Sequence, residues 1–478
     1  MQRRDFLKVT AAGVLGLVTL PRTNAASQRR PNILFVFIDD MGYADPSCFG
    51  NPKMQTPHID RLAAEGLRLT NFYVNSPICS PSRVAVMTGQ YPARWKINSY
   101  LAARKANRNR HMPDWLDPQA PTTARILQQA GYATAHFGKW HIGGGRDVGD
   151  APLPQEYGFD ESLVSFEGLG DRVLFPNDGL CKQSAALERG NIRFLPKHRS
   201  TETYVDRAIA FMEKNRQRPF YIELFPNDVH DAHLPRPEAV EKWKQVTDNP
   251  FEQKFFAVLE ELDTQIGRVV DAVDRLGLAE RTLIVFTSDN GPTDWPSYYK
   301  QGQTPPGFTG PFYGRKWSLY EGGIRMPFIA RWKGTIPAGR TNETSVMAGI
   351  DLSPTFCHAA GAAVPDSIEH DGENMLDALL GKRVQRSAPV FWQYGKPHTN
   401  LLPGNPQFIS PSLAVRDGNW KLLIEPDGSH AQLYNLADDP GEQTNLLTRR
   451  PDQAQTLWRK LRHWADAVGF ETEANDPT

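Results

Sequence analysis

The sequence predicts an α/β protein, a large and mainly parallel sheet sandwiched by helices, followed by a smaller antiparallel sheet with one helix. Three observations lead there. Two apolar runs, Asn32–Ile38 and Leu283–Thr287, end in Asp39-Asp40 and Asp289-Asn290, as buried parallel strands with polar carboxyl ends do. Amphipathic helical patterns alternate with such runs up to about residue 385. Beyond that point the pattern changes to short strands joined by turn residues.

The elements follow in order. A helix is expected from His58 to about Gly66, with Ile59, Leu62 and Ala63 on one face. Pro121–Gln129 reads as a helix stopped by Gly131, and Ala133–Phe137 as the strand after it. Thr203–Asn215 is a second amphipathic helix, followed by the strand Pro219–Phe225. Phe251–Leu276 is a long helix whose Phe255, Leu259, Leu262, Ile266, Val269 and Val273 recur at helical spacing. In the smaller unit, Val390–Tyr394 and Leu413–Ile424 read as strands, with Asp417-Gly418 as a hairpin turn. Pro451–Val468 is the closing helix.

The 478 residues include 54 Lys+Arg, 54 Asp+Glu, 38 Gly, 38 Pro and four Cys. That composition excludes collagen-like, coiled-coil and mostly disordered chains, and four Cys do not make a disulfide scaffold. A balanced charge lacks the basic excess expected of a nucleic-acid binder. The amino-terminal segment reads as an address. Arg3-Arg4 and Phe6-Leu7-Lys8 precede an apolar run that ends near Leu20, and Thr23-Asn24-Ala25 offers a small-residue cleavage site. This is the pattern of a twin-arginine signal peptide over residues 1–25, and export to the periplasm or beyond is the expectation. Its removal leaves 50 basic and 53 acidic residues, a net charge of −3. No other segment is apolar enough to span a bilayer, so an integral membrane protein is not expected. The expected organisation is therefore 1–25 signal, 28–385 large domain carrying the chemistry, and 386–478 α+β subdomain.

Ligands in open α/β sheets bind beyond the carboxyl ends of the strands, where Asp39, Asp40, Asp289 and Asn290 sit. Oxygen donors of this kind suit a hard cation such as Ca²⁺ or Mg²⁺ better than Zn²⁺. Between the two pairs lies Cys79-Ser80-Pro81-Ser82-Arg83. This segment resembles the C-x-P-S-R core of the type I sulfatases. The resemblance extends through Thr56-Pro57-His58-Ile59-Asp60, Thr88-Gly89-Gln90, Gly138-Lys139-Trp140-His141, Ser288-Asp289-Asn290-Gly291, and Lys316 with Glu321-Gly322-Gly323. It covers most of residues 31–360 in the family's order.

The resemblance implies an alkaline-phosphatase-like fold and hydrolysis of sulfate esters. It implies that Cys79 is oxidised to formylglycine by a sulfatase-maturing enzyme. The hydrated aldehyde attacks sulfur with one hydroxyl, and its second hydroxyl later loses a proton to expel sulfate. By motif, Asp39, Asp40, Asp289, Asn290 and the modified Cys79 would hold Ca²⁺, with Mg²⁺ the alternative. Arg83 would orient residue 79, Lys139 would stabilise the diol, His141 would take its second proton, and Lys316 would clamp the sulfate. His230, after the Phe220–Phe225 strand, matches the family's histidine as acid or leaving-oxygen ligand. Many family members have Pro where this chain has Val229, so His233 stays open beside it. His111, His233 and His398 lie outside the matched motifs.

The basic stretch Arg104, Arg108, Arg110 and His111 is either a solvated loop or a subsite for an anionic polymer. A sulfated carbohydrate is the favoured substrate. Two alternatives stand beside it: a phosphate or phosphonate ester hydrolase on the same architecture, and an inactive glycan-binding homologue.

Overall fold

A computed structural model describes residues 30–394, 401–472 and 477; the expected signal peptide and His398 lie outside them. A ten-stranded sheet runs through the centre. At its middle, Asn32–Ile38 pairs in parallel with Thr282–Ser288 on one side and Phe220–Phe225 on the other, and Ala133–Lys139 lies next to Phe220–Phe225. Glu161–Ser165, Arg172–Leu174 and Ile192–Phe194 extend the parallel part outward. On the far side Ile329–Arg331 runs antiparallel to Thr282–Ser288, which makes the sheet mixed.

The expected runs become strands because they can bury both faces. Along Asn32–Ile38, Phe35 and Phe37 enter one core and Leu34, Val36 and Ile38 the other. The second core is roofed by the helices Ser200–Lys214 and Pro250–Arg275, which lie within a residue or three of the spans read from periodicity. The longer helix starts where it does because the Asn249 side chain accepts from the N–H groups of Phe251 (3.0 Å) and Glu252 (3.4 Å), with Pro250 at its first position.

A four-stranded antiparallel sheet, Val390–Gln393, Leu413–Asp417, Trp420–Ile424 and Gln432–Asn435, carries the helix Pro451–Ala467. Gly418 turns the hairpin with φ +57°. This unit shares the first core with the large sheet, and the Trp392 indole N–H donates to the Val74 carbonyl at 2.7 Å. Among the described residues no helix is long and apolar enough to cross a membrane.

Candidate active site

The four central strands end side by side and deliver the polar residues to one place. Ile38 and Ser288 are in register, so Asp39-Asp40 and Asp289-Asn290 emerge together. The Asp40 N–H donates to Asp289 Oδ1 at 3.1 Å, and Asp40 takes a left-handed φ of +61°, which a short polar side chain tolerates. Gly138 is needed one strand away. A Cβ there would lie 2.0 Å from the Phe225 carbonyl oxygen, so only glycine lets the strands close and present Lys139.

Cys79 opens the helix Cys79–Thr88, which is buried along its whole length and ends at Gly89 in the left-handed region. The helix N-terminus, with its unpaired N–H groups, favours developing negative charge at residue 79. One turn on, Arg83 donates to Asp289 Oδ2 (2.8 Å) and to the Lys139 carbonyl (3.1 Å), and lies 3.5 Å from Asp39 Oδ1. It ties the helix to three strand ends.

Around Cys79 Sγ stand Lys139 Nζ at 3.2 Å, Asp39 Oδ1 at 3.5 Å and Lys316 Nζ at 3.7 Å. Lys139 also bridges both oxygens of Asp39 (2.7 and 2.6 Å), and Lys316 lies 2.6 Å from Asp40 Oδ2. Burial pushes the Cys79 thiol up to about 12, although the two lysines oppose this. Burial acts to lower both lysines, but the neighbouring carboxylates outweigh it and hold them charged. Asp39 is the mirror case: burial would raise it, and Lys139, His230 and Arg83 hold it well below the carboxylate range.

Asp39, Asp40, Cys79 and His230 offer ligand atoms within 4.8 Å of one another. Asn290 adds a buried Oδ1 with no hydrogen-bond partner, while its amide nitrogen donates to Asp40 Oδ1 at 2.8 Å. Carboxylates plus an orphaned amide oxygen fit a hard cation. A thiol among them does not, and an oxygen at position 79 would leave only oxygen donors beside the His230 nitrogen.

The two histidines have defined faces. His141 Nε2 lies 3.3 Å from the Leu101 carbonyl, which can only accept, so Nδ1 is left as a free lone pair; it is buried and unpartnered. Burial, Lys139 and Arg83 hold His141 well below its usual range. His230 gives Nδ1 to the Asp231 carbonyl and turns Nε2 toward Asp40 Oδ2 at 3.7 Å. Burial lowers it to about 4. His233 borders the same cavity but is engaged away from the cluster: its Nε2 bonds the Val229 carbonyl at 2.8 Å, and its ring packs on Phe255. Of the two histidines left open by the sequence, His230 is the one that faces the cluster.

The cluster opens into a cavity of about 810 Å³, bordered by Asp39, Lys139, Phe166, Lys197 and His230. Two of these had no signal in the sequence. Phe166 lies over Lys139 Nζ (5.3 Å to the ring centroid) and edge-on to His141 (5.0 Å). Lys197 donates to the carbonyls of His230 and, at 2.9 Å, Ala232, which pins the loop carrying His230. The basic stretch does not line this cavity. Arg104 sits on the helix Arg104–Asn109 and pairs with Asp114 (2.8 Å) and Asp150, Arg108 and His111 are exposed, and Arg110 is buried against Tyr100.

Comparison with known proteins agrees with this geometry. The sulfatase family model matches residues 31–362, and the model for the C-terminal part of N-sulphoglucosamine sulphohydrolase matches 310–466. An N-acetylgalactosamine-6-O-sulfatase of Bacteroides thetaiotaomicron is 29% identical, over 91% of this chain and 93% of that protein. Human arylsulfatase A is 31% identical, over 93% of this chain and 86% of that protein. Among solved structures, Ps i-CgsB in complex with k-i-k-neocarrahexaose superposes with a TM-score of 0.76 at 25% identity, covering 93% of this chain and 96% of that chain.

Proposed function

Because this chain belongs to the sulfatase family, we propose that it hydrolyses sulfate esters on a carbohydrate, with residue 79 as formylglycine beside a bound Ca²⁺ or Mg²⁺. Asp39, Asp40, Asp289 and Asn290 would hold the cation, which supplies Lewis-acid charge at the nucleophile, and the hydrated aldehyde supplies two hydroxyls on one carbon. Everything else is done by side chains already in place. Lys139 and Lys316, the two ammonium groups nearest residue 79, bind the sulfate oxygens and offset the charge that moves onto the leaving oxygen. Arg83 fixes the direction of the residue 79 side chain through its ties to Asp289 and the Lys139 carbonyl. The free lone pair of His141 Nδ1 takes the proton of the second hydroxyl.

His230 Nε2 carries the proton for the leaving oxygen. Burial lowers it, and an incoming sulfate anion acts in the opposite direction, towards the charged form that can donate. The phenyl ring of Phe166 covers Lys139 and keeps water from the clamp.

The observation that carries this reading is the convergence of Lys139, Lys316 and Asp39 within 3.7 Å of Cys79 Sγ, next to the orphaned Asn290 oxygen. Relatives that act on sulfated sugars, and a cavity large enough for more than one sugar unit, support a carbohydrate substrate. Residues 1–25 would deliver the folded enzyme through the twin-arginine machinery, after a maturation enzyme has converted Cys79. The test is side-by-side turnover of sulfate and phosphate esters by matured protein, followed by a panel of defined sulfated saccharides. A strong sulfate preference with saccharide turnover is expected, and a strong phosphate preference would overturn the reading.

A further inference from the structure

A second concavity, of about 240 Å³, lies where the basic helix meets the C-terminal unit. Lys96, Arg110 and His111 line it with the amides of Asn98, Asn109 and Gln393, and no carboxylate among the described residues lines it. Arg110 is the informative member. It is 6% exposed, its Nε donates to the Ala106 carbonyl (3.1 Å), its Nη1 donates to the Tyr100 carbonyl (2.7 Å), and its guanidinium lies 4.2 Å from the Tyr100 ring centroid. Nearby arginines have counter-ions: Arg94 pairs with Asp371 and Arg104 with Asp114. Among the described residues no carboxylate pairs with Arg110, and the charged neighbour that acts on it is another cation, Arg146. A buried cation without a counter-ion is costly, and an anion from outside removes that cost. The amides can donate to and accept from sugar hydroxyls.

We propose that this groove is a second anion subsite, which holds a sulfate or carboxylate of a glycan chain apart from the sulfate being cleaved. Its position suits that role. Arg110 donates to the Tyr100 carbonyl at 2.7 Å, and the next residue, Leu101, donates its N–H to the hydroxyl of Ser80, beside Cys79, at 3.0 Å, so one short segment joins the groove to the reacting centre. A polymer laid along that segment would reach both. The inference rests on the glycan reading above for the kind of ligand, and not on the chemistry at residue 79.

The test is isothermal titration calorimetry on full-length protein carrying Cys79→Ala, which cannot turn substrate over. Two probes are used: an ι-carrageenan hexasaccharide, with sulfates and no carboxylates, and a chondroitin sulfate hexasaccharide, with both. Adding Lys96→Ala and His111→Ala, at two exposed positions, should weaken at least one probe about tenfold. Weakening of both assigns the groove to sulfate; weakening of the chondroitin probe alone assigns it to carboxylate. In matured protein the same pair should cost kcat/KM on the weakened hexasaccharide about tenfold more than on 4-nitrophenyl sulfate. Failure of both probes to bind, or affinities unchanged by Lys96→Ala with His111→Ala and by Arg110→Met, overturns the inference. If matured protein hydrolyses no sulfate ester while these affinities still depend on Lys96 and His111, the reading of residue 79 fails and the subsite stands.

Discussion

Two of the clusters of buried charge among the described residues are built differently. At the strand ends, Asp39, Asp40, Asp289, Arg83, Lys139 and Lys316 surround Cys79, with unpartnered atoms at Asn290 and His141 and an opening to the cavity. At the seam with the C-terminal sheet, Glu321 accepts from Lys421 Nζ (2.9 Å), the Tyr73 hydroxyl (2.5 Å) and Arg325 (3.3 Å). Lys421 also lies 2.8 Å from Glu442, whose second oxygen accepts from the Glu321 N–H at 2.6 Å. That second cluster is closed: Glu321 and Lys421 are both 0% exposed and Glu442 is 4% exposed. The contrast teaches how to read buried charge. Saturated by its own neighbours it joins two parts of a fold; left with orphaned atoms at a cavity mouth it waits for a ligand.

Substitutions should separate the two clusters. The largest effect is expected at the open one. Cys79→Ala should reduce sulfate-ester turnover by at least about 10³-fold, with a melting temperature close to wild type, as read by steady-state kinetics and calorimetry. Lys421→Met should do the reverse. It strands two buried carboxylates and should cost about 3–5 kcal/mol in denaturant unfolding, while folded protein keeps its kcat. A comparable loss of kcat would show that the seam reaches the chemistry.

His230→Ala should be graded. Roughly 10²-fold loss is expected on alkyl or sugar sulfates and far less on 4-nitrophenyl sulfate, whose leaving group needs no proton. Equal losses on both would remove the general-acid role. The smallest effect concerns pH. Burial and the Glu321 charge raise Glu442 to about 7, whereas Lys421 and Arg325 overcome burial and hold Glu321 at about 2. A raised carboxyl contributes stability that is full below its unfolded value near 4.5 and is lost as pH climbs through about 7. Glu442→Gln should therefore flatten the stability profile between about pH 5 and 8, by about 2 kcal/mol at most. The Glu321 contribution runs the other way, lost only as pH falls from about 4.5 through 2, and is untouched in that window. A profile as steep as wild type would place the titration elsewhere.

Much of the open cluster was legible in the sequence, because strand ends announce themselves as polar pairs after apolar runs and the segment around Cys79 is contiguous. Lys316 and His230 were legible only through the family pattern. The choice between His230 and His233 was not, since both sit in the same short loop and only tertiary contacts, Asp40 for His230 and the Val229 carbonyl and Phe255 for His233, distinguish them. Phe166 and Lys197 belong to no period or motif. The closed cluster was invisible for a different reason: its partners are 100 and 121 residues apart, on elements that read separately. Strands Arg172–Leu174 and Ile192–Phe194, of three residues each, are too short to show alternation. The basic stretch was legible as charge, while which of its arginines has a counter-ion depends on tertiary contacts with Asp114 and Asp150.

The central claim is that the open cluster works through an oxidised residue 79. Mass spectrometry of the peptide spanning Ile78–Arg83, on samples matured to different extents, tests it most directly when paired with turnover of a sulfate ester. The account predicts that kcat per protein rises in proportion to aldehyde content and vanishes in fully thiol protein. Turnover that is independent of aldehyde content would contradict it.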